Sequence, residues 1–174
     1  MKKILLLLCF LASTAMSAKA MEDNVHFSGA LIAEPCIIPD TDTDIHLDFG
    51  SIINKALYQY ARTPSVAFSI HLTECNTSLA NTVNVTFTGT EQQALPGYLS
   101  LDSGSTAKGV VIGIESSDGV LIPLNKSSPT YKISNEENAL NFNAFVQILP
   151  DSARDHSLVE GSFTAISTFV LSYQ

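Results

Sequence analysis

The sequence predicts an all-β protein, most simply a two-layer sandwich. Several short segments alternate apolar and polar residues with the period of two that a strand with one buried face requires. Turn-forming pairs such as Pro96-Gly97, Asp118-Gly119 and Ser134-Asn135 separate these segments. No stretch shows a 3.6-residue period of useful length, so we predict no substantial helix. A chain of this size is expected to form one core and one domain.

The inner strands are predicted where apolar residues recur at every second position. The alternating segments are residues 45–49, 66–72, 83–87, 110–114 and 140–148. A further apolar run, residues 120–124, contains Pro123. This run is predicted to be an edge strand or a strand end, because proline cannot donate a ladder hydrogen bond.

Both ends of the mature chain also alternate. In residues 161–174, one face carries Phe163, Ala165, Phe169, Leu171 and Tyr173, and only Ser167 interrupts it. Near the N-terminus, one face carries Val25, Phe27, Gly29, Leu31 and Ala33. Chain ends normally fray. An apolar terminal strand must therefore be held by its own domain or by another protein.

Residues 1–20 have the features of a cleaved secretory signal. Lys2 and Lys3 precede an apolar run from Ile4 to Ala12, and Ala18-Lys19-Ala20 is a small-x-small cleavage site. The apolar run is too short to span a bilayer comfortably. We therefore expect cleavage after Ala20 and export from the cytoplasm.

The mature chain is strongly acidic. Without Lys2, Lys3 and Lys19, six basic residues remain against seventeen acidic ones, a net charge of −11. Such a domain lacks the basic surface that nucleic acids require, and anionic membranes would repel it. A basic partner surface would be favoured.

Two cysteines remain after cleavage, Cys36 and Cys75. In an oxidising compartment this pair indicates a disulfide. Two free thiols, or half of a metal site, are the alternatives. They are disfavoured because the chain has no Cys-x-x-Cys motif and its four histidines are scattered.

Two further motifs suggest chemistry on weaker grounds. Residues 40–44 place carboxylates at alternate positions, as a calcium loop does. However, Ile45 and Ser51 stand where such a loop needs Gly and Glu, so we predict a solvated acidic loop without metal. Asp102-Ser103-Gly104 resembles the aspartic-protease turn, but a single copy would need a homodimer for catalysis. A plain β-turn explains it better.

The ordered set of these features resembles the fimbrial (pilin) subunits of the chaperone–usher pathway. The features run in order along the mature chain: Val25-x-Phe27-x-Gly29-x-Leu31, Cys36, Phe49-Gly50, Phe68-x-Ile70-x-Leu72-x-x-Cys75, Val83-x-Val85-x-Phe87-x-Gly89, Gly109-Val110-x-Ile112-x-Ile114, Leu140-x-Phe142-x-Ala144, Gly161-x-Phe163-x-Ala165 and Tyr173. Residues 89–97 also resemble minor tip-fibrillum adaptor subunits of P-type pili.

The resemblance implies an incomplete immunoglobulin-like sandwich that lacks its last strand. A periplasmic chaperone, and then the N-terminal extension of a neighbouring subunit, would donate that strand. It implies a signal peptide (1–20), an N-terminal extension (21–34) and a pilin domain (35–174). Val25, Phe27, Gly29, Leu31 and Ala33 would be donor-strand residues. The groove edge recognised by the chaperone would contain Phe163, Ala165, Phe169, Leu171, Tyr173 and Gln174. Ser167 departs from the usual small apolar residue and is expected to weaken one groove contact.

The predicted function is therefore structural and non-catalytic, with no cofactor. The chain would be a minor subunit or adaptor of a bacterial surface fimbrium that supports cell adhesion. Its partners would be a periplasmic chaperone, an outer-membrane usher and neighbouring subunits in a head-to-tail fibre. A major shaft or terminator subunit is the alternative within the same pathway. A receptor-binding adhesin module, or a secreted acid hydrolase using Asp102, is the alternative from a different class.

Overall fold

We describe a computed structural model of the chain that covers residues 25, 27–31 and 33–174. The predicted signal peptide therefore lies outside the described residues. The chain divides into two units, Met1–Ile32 and Ala33–Gln174. The second unit contains all the regular secondary structure of the described residues.

Six strands form this second unit: β1 (Val66–Leu72), β2 (Thr82–Thr88), β3 (Val110–Ser116), β4 (Tyr131–Lys132), β5 (Asn138–Ile148) and β6 (Thr168–Tyr173). Two short helices accompany them, α1 (Asn54–Tyr60) and α2 (Pro150–Asp155), together with a 3-10 turn at Asp40–Asp42. The all-β prediction is confirmed.

The strands form two antiparallel sheets. One has the order β1-β5-β3 and the other β4-β2-β6. In the first sheet, Phe68 lies opposite Phe142, and Ile112 lies opposite Val146. In the second, Val85 lies opposite Leu171. Since β6 ends its sheet, one edge of it faces no other strand of the described chain.

The inward faces of both sheets form one main core. Residues such as Ile70, Val85 and Phe142 are almost completely buried there. Phe142 makes edge-on contacts with Phe87 and Tyr131, an arrangement that aromatic rings favour. The predicted disulfide is present between Cys36 and Cys75 and joins the start of the domain to the end of β1.

Three predictions of local structure were wrong. Residues 120–124 form no strand, because Leu121 makes only a single bridge to Glu115. Residues 45–49 are extended and alternate in burial, but they lie in no sheet. Helices α1 and α2 were missed, since seven and six residues are too few to establish a 3.6-residue period.

Candidate functional site: an open apolar cleft

The most unusual part of the domain is the edge formed by β6. This strand pairs only with β2, from Phe87 opposite Phe169 to Val83 opposite Tyr173. Edge strands of this kind expose unpaired backbone N–H and C=O groups, which makes them templates for another strand.

The inward face of this C-terminal segment is incompletely covered. Its side chains alternate between exposed and half-buried, whereas the neighbouring β2 buries Val83 and Val85 completely. The half-buried residues are Phe163, Ala165, Ser167, Phe169, Leu171 and Tyr173. The half-buried residues are those on the face that the sequence marked as apolar, and no strand of the described chain covers this face.

Residues 44–49 form the opposite wall of the cleft. Ile45, Leu47 and Phe49 point inward and are half-buried, while the residues between them are exposed. Within the described chain, the backbone of this wall makes no hydrogen bond to any strand. We call residues 44–49 the free wall.

A cleft of about 650 Å³ separates the free wall from the C-terminal segment. Its floor is apolar and belongs to the core, with side chains from both sheets: Phe68, Phe87, Leu99, Ile112, Ile114 and Ala144. The cleft therefore offers apolar pockets between two extended segments, each with an unpaired backbone edge.

Ser167 is a polar residue on the inward face of the C-terminal segment in this cleft. Its hydroxyl donates a hydrogen bond of 3.0 Å to the carbonyl oxygen of Thr88. The hydroxyl is thus satisfied by the neighbouring strand, so the floor remains compatible with an apolar occupant.

A second, smaller hollow of about 390 Å³ includes Phe163 in its lining. Leu57, Val110 and Leu158 also line it, together with Lys55 and Lys108. Leu57 comes from helix α1, which the sequence did not predict.

Asp42 tethers the beginning of the free wall to the first sheet. Its Oδ2 atom accepts the backbone N–H of His71 at 2.5 Å and lies 2.7 Å from His71 Nδ1. Burial alone would raise the pKa of Asp42, but hydrogen bonds from His71 and Thr41 outweigh it and hold the pKa below its ordinary value. The sequence predicted a solvated acidic loop at residues 40–44. This prediction was wrong for Asp42, because its side chain is buried.

The predicted donor residues that the structure describes form no strand. Phe27 is 94% exposed and Leu31 is 103% exposed, and the described residues of this segment pair with no strand. Gly29 has open space where a side chain would stand.

At the other end of the chain, the carbonyl oxygen of Gln174 accepts the backbone N–H groups of Asn81 and Thr82, both at 3.1 Å.

The motifs that suggested chemistry form ordinary structure. Ser105 N–H donates to the Asp102 carbonyl oxygen at 2.9 Å, which closes the predicted turn. Over the described residues, no group of three His, Cys, Asp or Glu side chains could hold a metal ion. No helix in the described part of the chain is long and apolar enough to cross a bilayer.

The fold and the cleft thus define a β-sandwich with one open edge, and the chain is similar to known proteins. The family model described as "Fimbrial protein" matches residues 25–174. The chain is 35% identical to the major MR/P fimbria protein of Proteus mirabilis, covering 96% of this chain and 93% of that protein. It is 32% identical to the fimbrial adapter PapK of Escherichia coli, covering 97% of this chain and 96% of that protein.

A solved structure supports the fold. The crystal structure of the P pilus rod subunit PapA superposes with a TM-score of 0.70 at 24% identity, covering 81% of this chain and all of that one. The chain therefore belongs to the fimbrial protein family, whose members are structural subunits and not enzymes. The alternative of a hydrolase using Asp102 is not supported.

Proposed function

We propose that the cleft accepts a β-strand donated by another polypeptide, and that the chain's own N-terminal extension is donated in turn to a neighbouring subunit. The observation that carries this proposal is the pair of unpaired backbone edges, β6 and the free wall, on either side of an apolar cleft. A strand inserted there would hydrogen-bond to both edges and cover the half-buried face.

The donated strand has the right chemistry for this cleft. Val25, Phe27 and Leu31 are exposed apolar residues on one parity. Burying them would contribute on the order of 5–9 kcal/mol, before the cost of ordering the segment. That energy is comparable with the net stability of a typical domain, about 5–15 kcal/mol.

The direction of the donated strand follows from where the extension begins. Asn76 N–H donates to the Pro35 carbonyl oxygen at 2.7 Å, which fixes this point beside the disulfide. Five residues further along, Asn81 N–H donates to the Gln174 carbonyl oxygen at 3.1 Å, so the extension begins at the end of the domain where β6 terminates. An extension that leaves this end and enters a neighbour of the same orientation runs antiparallel to the neighbour's β6. All the strand pairs in the two sheets have this direction.

Head-to-tail joins of this type build an open fibre. Before assembly, a periplasmic chaperone would supply the strand, and at the outer-membrane usher a neighbour's extension would replace it in a fibre that is displayed on the cell surface. Within the fibre we propose a minor or adaptor position, in line with the likeness to PapK. A shaft position is the alternative, because another relative is a major fimbrial protein.

A peptide of residues 21–34 tests the proposal. We expect the isolated mature chain to aggregate or unfold readily, and the peptide to restore a soluble, folded protein. The matched control is a peptide with Phe27→Ser and Leu31→Ser, which keeps the backbone but loses the apolar anchors. A mature chain that is monomeric and highly stable without any added strand would refute the proposal.

Electron microscopy of fibres with the subunit immunolabelled would distinguish an adaptor from a shaft position.

A further inference from the structure

We propose that Asp42 and His71 are positioning residues that hold the free wall at the separation a donated strand needs. This inference rests on the proposed function, because it concerns the same cleft. It assigns a role to two side chains whose hydrogen bond the sequence pattern did not predict.

The geometry makes Asp42 a tether between two elements. It ends the 3-10 turn Asp40–Asp42, two residues before the free wall begins. Its side chain is only 10% exposed. One carboxylate oxygen engages both the backbone and the ring of His71, and the other accepts the Thr41 hydroxyl at 3.0 Å.

His71 is well placed to receive this tether. It lies on β1, which pairs with β5 on one side and forms the edge of its sheet on the other. Its backbone N–H points to that edge, where Asp42 takes the position of a missing strand partner. A hydrogen bond to an ionised carboxylate is stronger than one between neutral groups.

The free wall has few other polar attachments. The nearest backbone pairing on its N-terminal side is Ile37 with Thr73, two hydrogen bonds of 2.8 Å. Among the described residues, the His46 side chain hydrogen-bonds only to Asp44, and the Asp48 side chain accepts only the Gly50 N–H. Asp42 therefore makes the last hydrogen bonds to a strand before the chain reaches Ile45, Leu47 and Phe49 in the cleft. Without these hydrogen bonds, the free wall can shift relative to β6.

The test compares Asp42→Ala with Asp40→Asn in the mature chain. Asp40 lies in the same turn and is exposed, and its side chain makes no hydrogen bond in the described structure, so it is a matched control. We expect labelled peptide 21–34 to dissociate about tenfold faster from Asp42→Ala and at the wild-type rate from Asp40→Asn. Asp42→Asn, which keeps the shape with a weaker acceptor, replaces Asp42→Ala if the latter does not fold. His71→Asn keeps an N–H donor near the position of Nδ1 and should retain slow dissociation, whereas His71→Ala should not.

Amide hydrogen exchange separates positioning from general stability. In the complex of Asp42→Ala with peptide 21–34, the amides of residues 45–49 should exchange faster than in the wild-type complex, while those of β3 should exchange at the wild-type rate. A general loss of stability would accelerate both sets. Unchanged peptide dissociation in Asp42→Ala, or equal acceleration in the wall and in β3, overturns the inference. If the wild-type chain does not bind the peptide, the proposed function fails. In that case the inference about Asp42 is overturned with it, whereas a wild-type chain that binds the peptide and an unchanged Asp42→Ala overturn the inference alone.

Discussion

Arg62 donates two hydrogen bonds to the buried carboxylate of Glu115, at 2.9 and 3.0 Å. The Glu115 side chain is only 6% exposed. Ser65 donates a further hydrogen bond of 2.6 Å, and the Arg62 guanidinium lies 3.4 Å from the centroid of the Phe145 ring. This pair ties the segment after α1 to β3, at the opposite edge of the first sheet from Asp42.

Removing the arginine should destabilise the domain. We expect Arg62→Gln to lower the free energy of unfolding by about 2–3 kcal/mol, because a buried carboxylate would lose its cationic partner. Urea unfolding of the mature chain with peptide 21–34 present measures this change. Lys126→Gln removes an exposed cation that makes no ion pair in the described structure, so it should leave the urea midpoint unchanged. Equal midpoints for the two variants would contradict the role of Arg62.

Acidification should weaken the fold through two carboxylates. The Arg62 hydrogen bond, opposed by burial and aided by Ser65, holds the pKa of Glu115 below its ordinary 4.5. The pKa of Asp42 is also below its ordinary 3.8. A depressed pKa stabilises the folded state above the unfolded-state pKa, and this stabilisation is lost as the pH falls through the folded-state pKa. The free energy of unfolding should therefore decrease from about pH 5 downward.

Glu115→Gln gives the check on this pH dependence. This variant should be less stable than the wild type at neutral pH, yet lose less stability on acidification. Chemical denaturation at a series of pH values measures both effects. Parallel curves for the two proteins would show that Glu115 does not contribute.

Gly113 should not tolerate a side chain. It lies opposite Phe145 in the first sheet, and a Cβ at this position would overlap the Phe145 ring. We expect Gly113→Ala to destabilise the domain by about 1–3 kcal/mol, since the ring is fixed between Gly113 and Arg62. Gly104→Ala is the control, because that position has open space. Thermal unfolding compares the stabilities of the Gly113→Ala and Gly104→Ala variants. Adding Phe145→Leu to Gly113→Ala should restore part of the lost stability, because the smaller side chain leaves room for the new Cβ.

Loss of the disulfide should hinder folding. Cys36 and Cys75 are 39 residues apart in sequence, and their bond constrains the unfolded chain by about 4 kcal/mol in the loop-entropy model. The double variant Cys36→Ser/Cys75→Ser should therefore show a lower urea midpoint and a lower yield of folded protein. Reductant should lower the wild-type midpoint and leave the double variant unaffected. A wild-type midpoint that is insensitive to reductant would argue against this contribution.

Gly29 provides a test of donation that spares the subunit's own fold. Gly29→Asn should block attachment to the next subunit, because it would place an unpaired amide in a narrow apolar groove. The domain itself should fold normally, since no atom lies near a Cβ at Gly29. Ser28→Asn changes the adjacent, opposite-facing position and should be tolerated. Gel analysis of assembled fibres measures how much of each variant is incorporated. Incorporation of the Gly29→Asn variant at the wild-type level would contradict the assignment of residues 25–33 as a donor strand.

Alternation in the sequence was enough to locate the strands that carry the core. The segments around Phe68, Val85, Ile112 and Phe142 became β1, β2, β3 and β5, because a half-buried strand must repeat every two residues. The same reasoning identified the inward face of β6. The two remaining cysteines were enough to predict the disulfide. These features depend on local periodicity or on export, and both can be read from the chain.

Only the tertiary structure determined which strands have partners. Residues 45–49 alternate as clearly as β1, but their backbone pairs with no strand of the described chain, since pairing depends on what the fold brings alongside. The contacts of Asp42 with His71 and of Arg62 with Glu115 join residues 29 and 53 positions apart, and no local pattern encodes such a distance. The open cleft arises from the same cause. The sequence supplies two apolar faces, and the arrangement of the sheets leaves a space between them that the described chain does not fill.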